Sequence, residues 1–101
     1  MRTVVGMNRY LIQRTIPGAA DLSPAELQAI AQKSNGVLAD LAPRAQWVQS
    51  FVADDHIYCV YLAESEDVVR EHGRRGGFPV DAVHRIGAVI DPTTAGEAVA
   101  S

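Results

Sequence analysis

The strand-like segments of this chain carry apolar side chains on both of their faces. Residues 56–63 show two interleaved apolar sets, which are Ile57, Cys59 and Tyr61, and Tyr58, Val60 and Leu62. A half-exposed antiparallel strand alternates apolar with polar residues, so two apolar faces predict that both sides of the sheet are covered. Because the chain offers only two helical segments, we expect a second copy of the protein to cover one side.

The preceding strand-like segment predicts the same two-sided pattern. Simple alternation places two sets on opposite faces, which are Trp47, Gln49 and Phe51, and Val48, Ser50 and Val52. The acidic pair Asp54-Asp55 separates this segment from the next one, and such a short polar spacer predicts a tight hairpin.

Length and composition limit the class of protein. A chain of 101 residues that is 48% hydrophobic and 21% charged predicts one globular domain. The net charge of −3 argues against a nucleic-acid partner. No run approaches the ~20 apolar residues of a membrane span, and the six residues before Met7 are too few for a secretory signal. We therefore expect a cytoplasmic protein without a membrane partner.

The order of the predicted elements is β-α-β-β-α-β. We expect strands over about 8–16, 46–53, 56–63 and 82–90, with helices starting at Ser23-Pro24 and Ser65-Glu66. This order is that of an α+β, ferredoxin-like βαββαβ fold, a four-stranded antiparallel sheet with two helices on one face. The domain covers 8–91, between a flexible N-terminal extension, 1–7, and a flexible C-terminal tail, 92–101. The uncovered sheet face predicts a homodimer, as in dimeric α+β barrels.

Four side chains are candidate metal ligands: His72, Cys59, His56 and Asp55. Imidazole and thiolate groups suit nickel, copper or zinc. Three of them also have an ordinary structural explanation, since His72 lies in a helical apolar stripe, Cys59 lies in mid-strand, and Asp55 is a turn former. His56 and Cys59 are three residues apart on a strand, so they should lie on opposite faces and not bind one ion together. The spacing of these four residues in the sequence matches no known motif for metal binding or catalysis.

Several blocks of the sequence resemble a bacterial family of small domains of unknown function. The blocks are residues 50–61, Arg70-Glu71-His72, Gly76-Gly77-Phe78-Pro79 and Asp91-Pro92-Thr93-Thr94. This family includes a nickel-binding, ferredoxin-like protein, so the resemblance implies a ferredoxin-like fold, a dimer, and nickel or another divalent transition metal as ligand. Where many relatives carry lysine after the two aspartates, this chain has His56.

Three functions follow from these patterns. The first is a homodimer that binds nickel or a similar divalent ion through His72, Cys59, His56 and Asp55, some of them shared between subunits. The second is an enzyme or small-molecule binder whose apolar pocket, lined by Trp47 and the tyrosines, uses His72 as an acid–base group. The third is a non-catalytic interaction module. The first and third are not enzymes, and the sequence favours a protein without catalytic activity.

Overall fold

The structure is a computed structural model that describes the backbone of residues 6–100 and the side chains of residues 6–96. Its sheet consists of four strands, which are β1 (Asn8–Thr15), β2 (Ala45–Ala53), β3 (His56–Ala63) and β4 (Ala82–Ile86). Its helices are α1 (Pro24–Leu41), α2 (Glu66–Gly76) and α3 (Pro92–Ala100). The predicted β-α-β-β-α-β order is confirmed, and α3 follows it.

The sheet is antiparallel with the strand order β2-β3-β1-β4. β1 and β3 occupy its centre, where Ile12 lies opposite Cys59 and Leu11 lies opposite Val60. The helices α1 and α2 pack against each other and against β2 and β3. The side chains beneath them form the core, which includes Tyr10, Ile12, Ile57, Cys59, Tyr61, Val68 and Val69. The predicted ferredoxin-like α+β fold is therefore confirmed.

Local sequence signals place the helix ends and the turns. Ser23 and Glu26 form a reciprocal capping box at the start of α1, which satisfies amide groups that the first helical turn leaves free. Gly77 ends α2 with a left-handed φ of 70°, a conformation that costs glycine little. Asp54 takes a φ of 54° at the tip of the β2–β3 hairpin.

The face of the sheet away from α1 and α2 is open. Its central positions hold apolar side chains that are partly or largely exposed: Leu11, Phe51, Tyr58, Val60 and Leu62. We call these five residues the open face. Phe51 is 50% exposed. Residues 87–96, which follow β4, are themselves exposed, so within the part of the chain described here they do not fold back as a cover.

Three sequence predictions about the elements need correction or stay open. A β-bulge after Trp47 shifts the register of β2, so Trp47 and Ser50 lie towards the helices while Gln49 and Phe51 lie on the open face. The predicted sets, which assumed uninterrupted alternation, were wrong. β4 ends at Ile86 rather than at residue 90. The predicted extension 1–7 lies mostly outside the described residues.

The predicted tail contains a helix. Asp91 lies directly before α3, and its Oδ1 accepts a hydrogen bond from the backbone N–H of Thr93 at 2.8 Å. An aspartate before Pro92 is a helix start signal, and the sequence analysis left it unused. The flexibility predicted for 92–101 stays a prediction. No helix in the described part of the chain is long and apolar enough to cross a membrane.

Candidate functional site

A group of polar side chains is buried between the sheet and the two helices. Arg14 comes from β1, Cys59 and Tyr61 from β3, Ser34 from α1 and His72 from α2. Arg14 follows Tyr10 and Ile12 at every second position of β1, so strand alternation directs it to the covered side of the sheet. All five residues are at least nine-tenths buried. We call them the interior polar cluster.

Arg14 is the charged member of this cluster, with only 3% of its surface exposed. Its Nε donates to Cys59 Sγ at 3.4 Å, and its Nη1 donates to the carbonyl oxygen of Pro79 at 2.7 Å. The guanidinium also lies over the ring of Phe78, 5.4 Å from its centroid. Nη2 has no hydrogen-bond partner among the described residues. No ion pair within residues 6–96 involves Arg14, so its positive charge has no carboxylate beside it.

His72 is a neutral imidazole in this environment. Its Nε2 shares a hydrogen bond with Ser34 Oγ at 3.0 Å, while Nδ1 is buried without a partner among the described residues. Its ring stacks on Phe78 at 5.5 Å and lies 5.0 Å from the ring of Tyr61. Burial, aided by the nearby charge of Arg14, lowers the pKa of His72 to about 4. Burial likewise raises the pKa of Tyr61, so neither His72 nor Tyr61 adds a charge to the cluster at neutral pH.

A cavity of about 220 Å³ lies next to the interior polar cluster. Four members of the cluster line it, together with Trp47, Ser50, Phe78 and a set of aliphatic side chains: Ile16, Leu27, Ile30, Ala31, Val52 and Ile57. Within residues 6–96, no aspartate or glutamate lines it. His72 is not among the lining residues, although its contacts Ser34, Tyr61 and Phe78 are. Tyr58, which the sequence also offered for such a pocket, lies on the open face instead.

The four predicted metal ligands do not converge within one subunit. His72 and Cys59 lie on the helix side of the sheet, whereas His56 points to the open face, where its ring stacks on Tyr58 at 5.7 Å. Asp55 lies in the hairpin turn, and its Oδ1 accepts a hydrogen bond from the backbone N–H of Gly18 at 2.9 Å. Across the described side chains, no three His, Cys, Asp or Glu residues are close enough to hold one ion.

Two residues of the interior polar cluster escaped the sequence analysis. Arg14 was placed on β1 without a role, although an arginine at an otherwise apolar alternate position is a recognisable signal. Ser34 lies within α1 and was not among the candidate residues of the sequence analysis. Only the packing of α1 on α2 reveals that it is the hydrogen-bond partner of His72.

Residues 10–86 match the family described as "Nickel responsive protein SCO4226-like". The chain belongs to this family. The crystal structure of SCO4226 from Streptomyces coelicolor A3(2) superposes with a TM-score of 0.69 at 19% identity, covering 81% of this chain and 99% of the Streptomyces chain. A comparison with curated proteins finds no match.

The family match confirms the resemblance drawn from the sequence, and the Streptomyces structure confirms the fold. The family description names nickel. Whether a nickel ion fits a given position in this chain depends on the charge and the ligand atoms of the side chains there. The interior polar cluster does not fit a divalent cation, because Arg14 contributes positive charge and no carboxylate offsets it. His56 and Asp55 supply an imidazole and a carboxylate outside the core, which fits the ion in donor type but falls short in number within one subunit.

Proposed function

We propose that this nickel-responsive family member acts as a homodimer that binds nickel or a similar divalent transition metal at ligands outside its core. The observation that carries the proposal is the open face, an apolar surface in the middle of the sheet that the described residues leave uncovered. The family description supports the choice of metal. No catalytic step is part of the proposal.

Dimerisation through the open face has a direct physical reason. Apolar surface exposed to water is unfavourable by about 25 cal/mol per Å², and the open face is continuous across neighbouring strands. A two-fold axis would bring the same patch of both subunits together, so Phe51 and Tyr58 of one protomer would pack against the partner's open face. Residues around this patch are polar, with Gln13, Gln49 and His84 on the same side of the sheet.

The metal ligands in this proposal are His56 and Asp55, because a dimer supplies each of them twice. Cys59 and His72 lie on the other side of the sheet and would not take part. The two-fold symmetry would complete a ligand set that one subunit holds only in part. The bound ion would connect the subunits and so stabilise the dimer by mass action.

The dimer is tested by placing a charge on the open face. We expect the unmodified protein to sediment as a dimer at micromolar concentration and Phe51→Glu to sediment as a monomer with an unchanged circular dichroism spectrum. Ile90→Glu is the matched control, since Ile90 is also apolar and is 78% exposed but lies outside the sheet. A monomeric unmodified protein, or a dimeric Phe51→Glu variant, would contradict the proposed interface.

Nickel binding is tested by calorimetric titration of protein without a histidine tag. We expect saturable binding that weakens at least about tenfold in His56→Ala, since an imidazole ligand is lost. Cys59→Ala is the control for the interior ligands and should bind nickel as the unmodified protein does. Copper should compete, because it binds nitrogen ligands more tightly than nickel does. Absence of saturable nickel binding would contradict the metal proposal. A loss of nickel affinity in Cys59→Ala but not in His56→Ala would show that the ligands lie in the core instead.

A further inference from the structure

Arg14 is a buried cation that lacks an anion in the described part of the chain. Its hydrogen bonds go to a carbonyl oxygen and to a thiol, and a thiol sulfur is a weak acceptor. Burying a charge without a compensating partner is unfavourable. The ring of Phe78 offsets part of this cost through a cation–π contact. Two nitrogens of Arg14 can therefore still donate to an anionic acceptor: Nη2, which has no partner among the described residues, and Nε, whose only contact is with the weak acceptor Cys59 Sγ.

The cavity beside Arg14 has the size and the walls of a site for an apolar molecule. An apolar cavity of about 150 Å³ in another protein holds benzene, so about 220 Å³ accommodates a ligand on the order of ten non-hydrogen atoms. The walls are mostly aliphatic and aromatic, from Leu27 and Ile30 to Trp47. Leu27 and Val52 are 36% and 41% exposed and also line the cavity, so they mark its opening to solvent.

We propose that this cavity binds a small apolar monocarboxylate, with its hydrocarbon part against the aliphatic walls and its carboxylate paired with Arg14. Arginine and carboxylate form short, charge-assisted hydrogen bonds. Arg14 and Cys59 both line the cavity, so a carboxylate entering there replaces the sulfur contact with a stronger acceptor. Because Nη2 is fully buried, pairing through two guanidinium nitrogens requires a small movement of the Arg14 side chain.

The other groups around the cavity agree with this ligand class. Among the described residues, no acidic side chain lines the cavity to repel a carboxylate, and the polar groups of Ser34 and Ser50 are uncharged. A single guanidinium favours one negative charge over two, and the aliphatic walls disfavour a polar ligand such as phosphate. A divalent metal ion is excluded from this position by the charge of Arg14. The site is therefore separate from the proposed metal ligands and lies on the opposite side of the sheet.

Octanoate and octan-1-ol are matched probes, because both have an eight-carbon chain and only one of them carries a carboxylate. Trp47 is the one tryptophan of the chain and lines the cavity, so its fluorescence reports binding, and calorimetry gives the affinity. We expect octanoate to bind saturably and about tenfold tighter than octan-1-ol. The reason is that only its carboxylate can form a charge-assisted hydrogen bond with Arg14, and such a bond in a desolvated site strengthens binding by about this factor.

Two pairs of variants separate the charge from the cavity. Arg14→Met should remove the preference for octanoate, whereas Arg70→Met, at an exposed position of α2, should keep it. Ala31→Leu narrows the cavity while leaving Arg14 in place, so it should weaken both probes about equally. Arg14→Lys keeps the charge and should keep part of the preference.

The outcomes either support or overturn the site. Equal affinity of octanoate and octan-1-ol for the unmodified protein would overturn the role of Arg14, and so would an undiminished preference in Arg14→Met. Absence of binding of either probe would overturn the site itself. If Arg14→Met fails to fold, the preference of the unmodified protein and the effect of Ala31→Leu decide the question.

Discussion

The buried His72 predicts that this protein loses stability in mild acid. The imidazole lies between Ser34, Tyr61 and Phe78, and Arg14 is the charged group that faces it. Protonation would place a second positive charge in this enclosed position. Burial and the charge of Arg14 accordingly lower the pKa of His72 to about 4 in the folded protein, whereas in the unfolded chain it returns to an ordinary value of about 6.5.

The size and sign of the effect follow from these two pKa values. Between pH 6.5 and 4 the unfolded chain binds a proton at His72 that the folded protein does not, so the free energy of unfolding decreases as the pH falls. The full stabilisation is present above pH 6.5. At 1.36 kcal/mol per pKa unit, the loss is about 2 kcal/mol at pH 5 and about 3 kcal/mol below pH 4.

Urea unfolding at a fixed protein concentration measures this contribution by difference. We compare the unmodified protein with His72→Gln at pH 7.5, 6.5, 5.5 and 5.0, since carboxylates titrate equally in both. The free energy of unfolding of the unmodified protein minus that of His72→Gln should decrease by about 2 kcal/mol between pH 7.5 and 5.0. A difference between unmodified protein and His72→Gln that stays constant within about 0.5 kcal/mol would refute the reasoning.

Three further substitutions test the packing of α2 and two features of α1, its interior glycine and its capping box. Gly73→Ala should destabilise by about 1 to 2 kcal/mol, because its Cβ would lie 2.6 Å from Val80 Cγ2 and 3.3 Å from the Phe78 carbonyl oxygen; urea midpoints measure it. Gly36→Ala, a helical glycine of α1 with open space around it, should instead stabilise by about 0.5 to 1 kcal/mol, and a loss there would contradict the helix placement. Ser23→Ala should cost about 1 kcal/mol through the lost capping box, seen as a lower Tm; an unchanged Tm would mean that the cap contributes nothing.

The fold could be predicted from the sequence because its signals are local and agree with each other. The Ser23 cap, the Asp54-Asp55 turn and the Gly77 stop each place a boundary, and the β-α-β-β-α-β order then leaves few topologies. The bulge after Trp47 could not be predicted in this way. A bulge inserts one residue on one strand only, and its position depends on how β2 pairs with β3 across the sheet.

The interior polar cluster was only partly predictable, since its partners come from four different elements. Helical periodicity directed His72 inwards correctly. Its hydrogen bond with Ser34 depends on the packing of α1 on α2, which no spacing in the sequence encodes. The same holds for Arg14. Its burial can be predicted from the alternation of β1, but that it has no carboxylate partner among residues 6–96 is seen only in the folded core.

The two apolar faces of the strands, from which the homodimer was predicted, have different consequences for function. On β3, Cys59 and Tyr61 belong to the core with Arg14, and the alternate residues Tyr58 and Val60 belong to the open face. We infer that the buried guanidinium, which has no carboxylate partner among the described side chains, favours an anion over a metal ion, so the proposed nickel ligands are kept apart from the core. The nickel proposal therefore rests on the side of the sheet where His56 lies. A second subunit packed on the open face would bring its own His56 and Asp55 to that side, and these are the further ligands that the proposal requires.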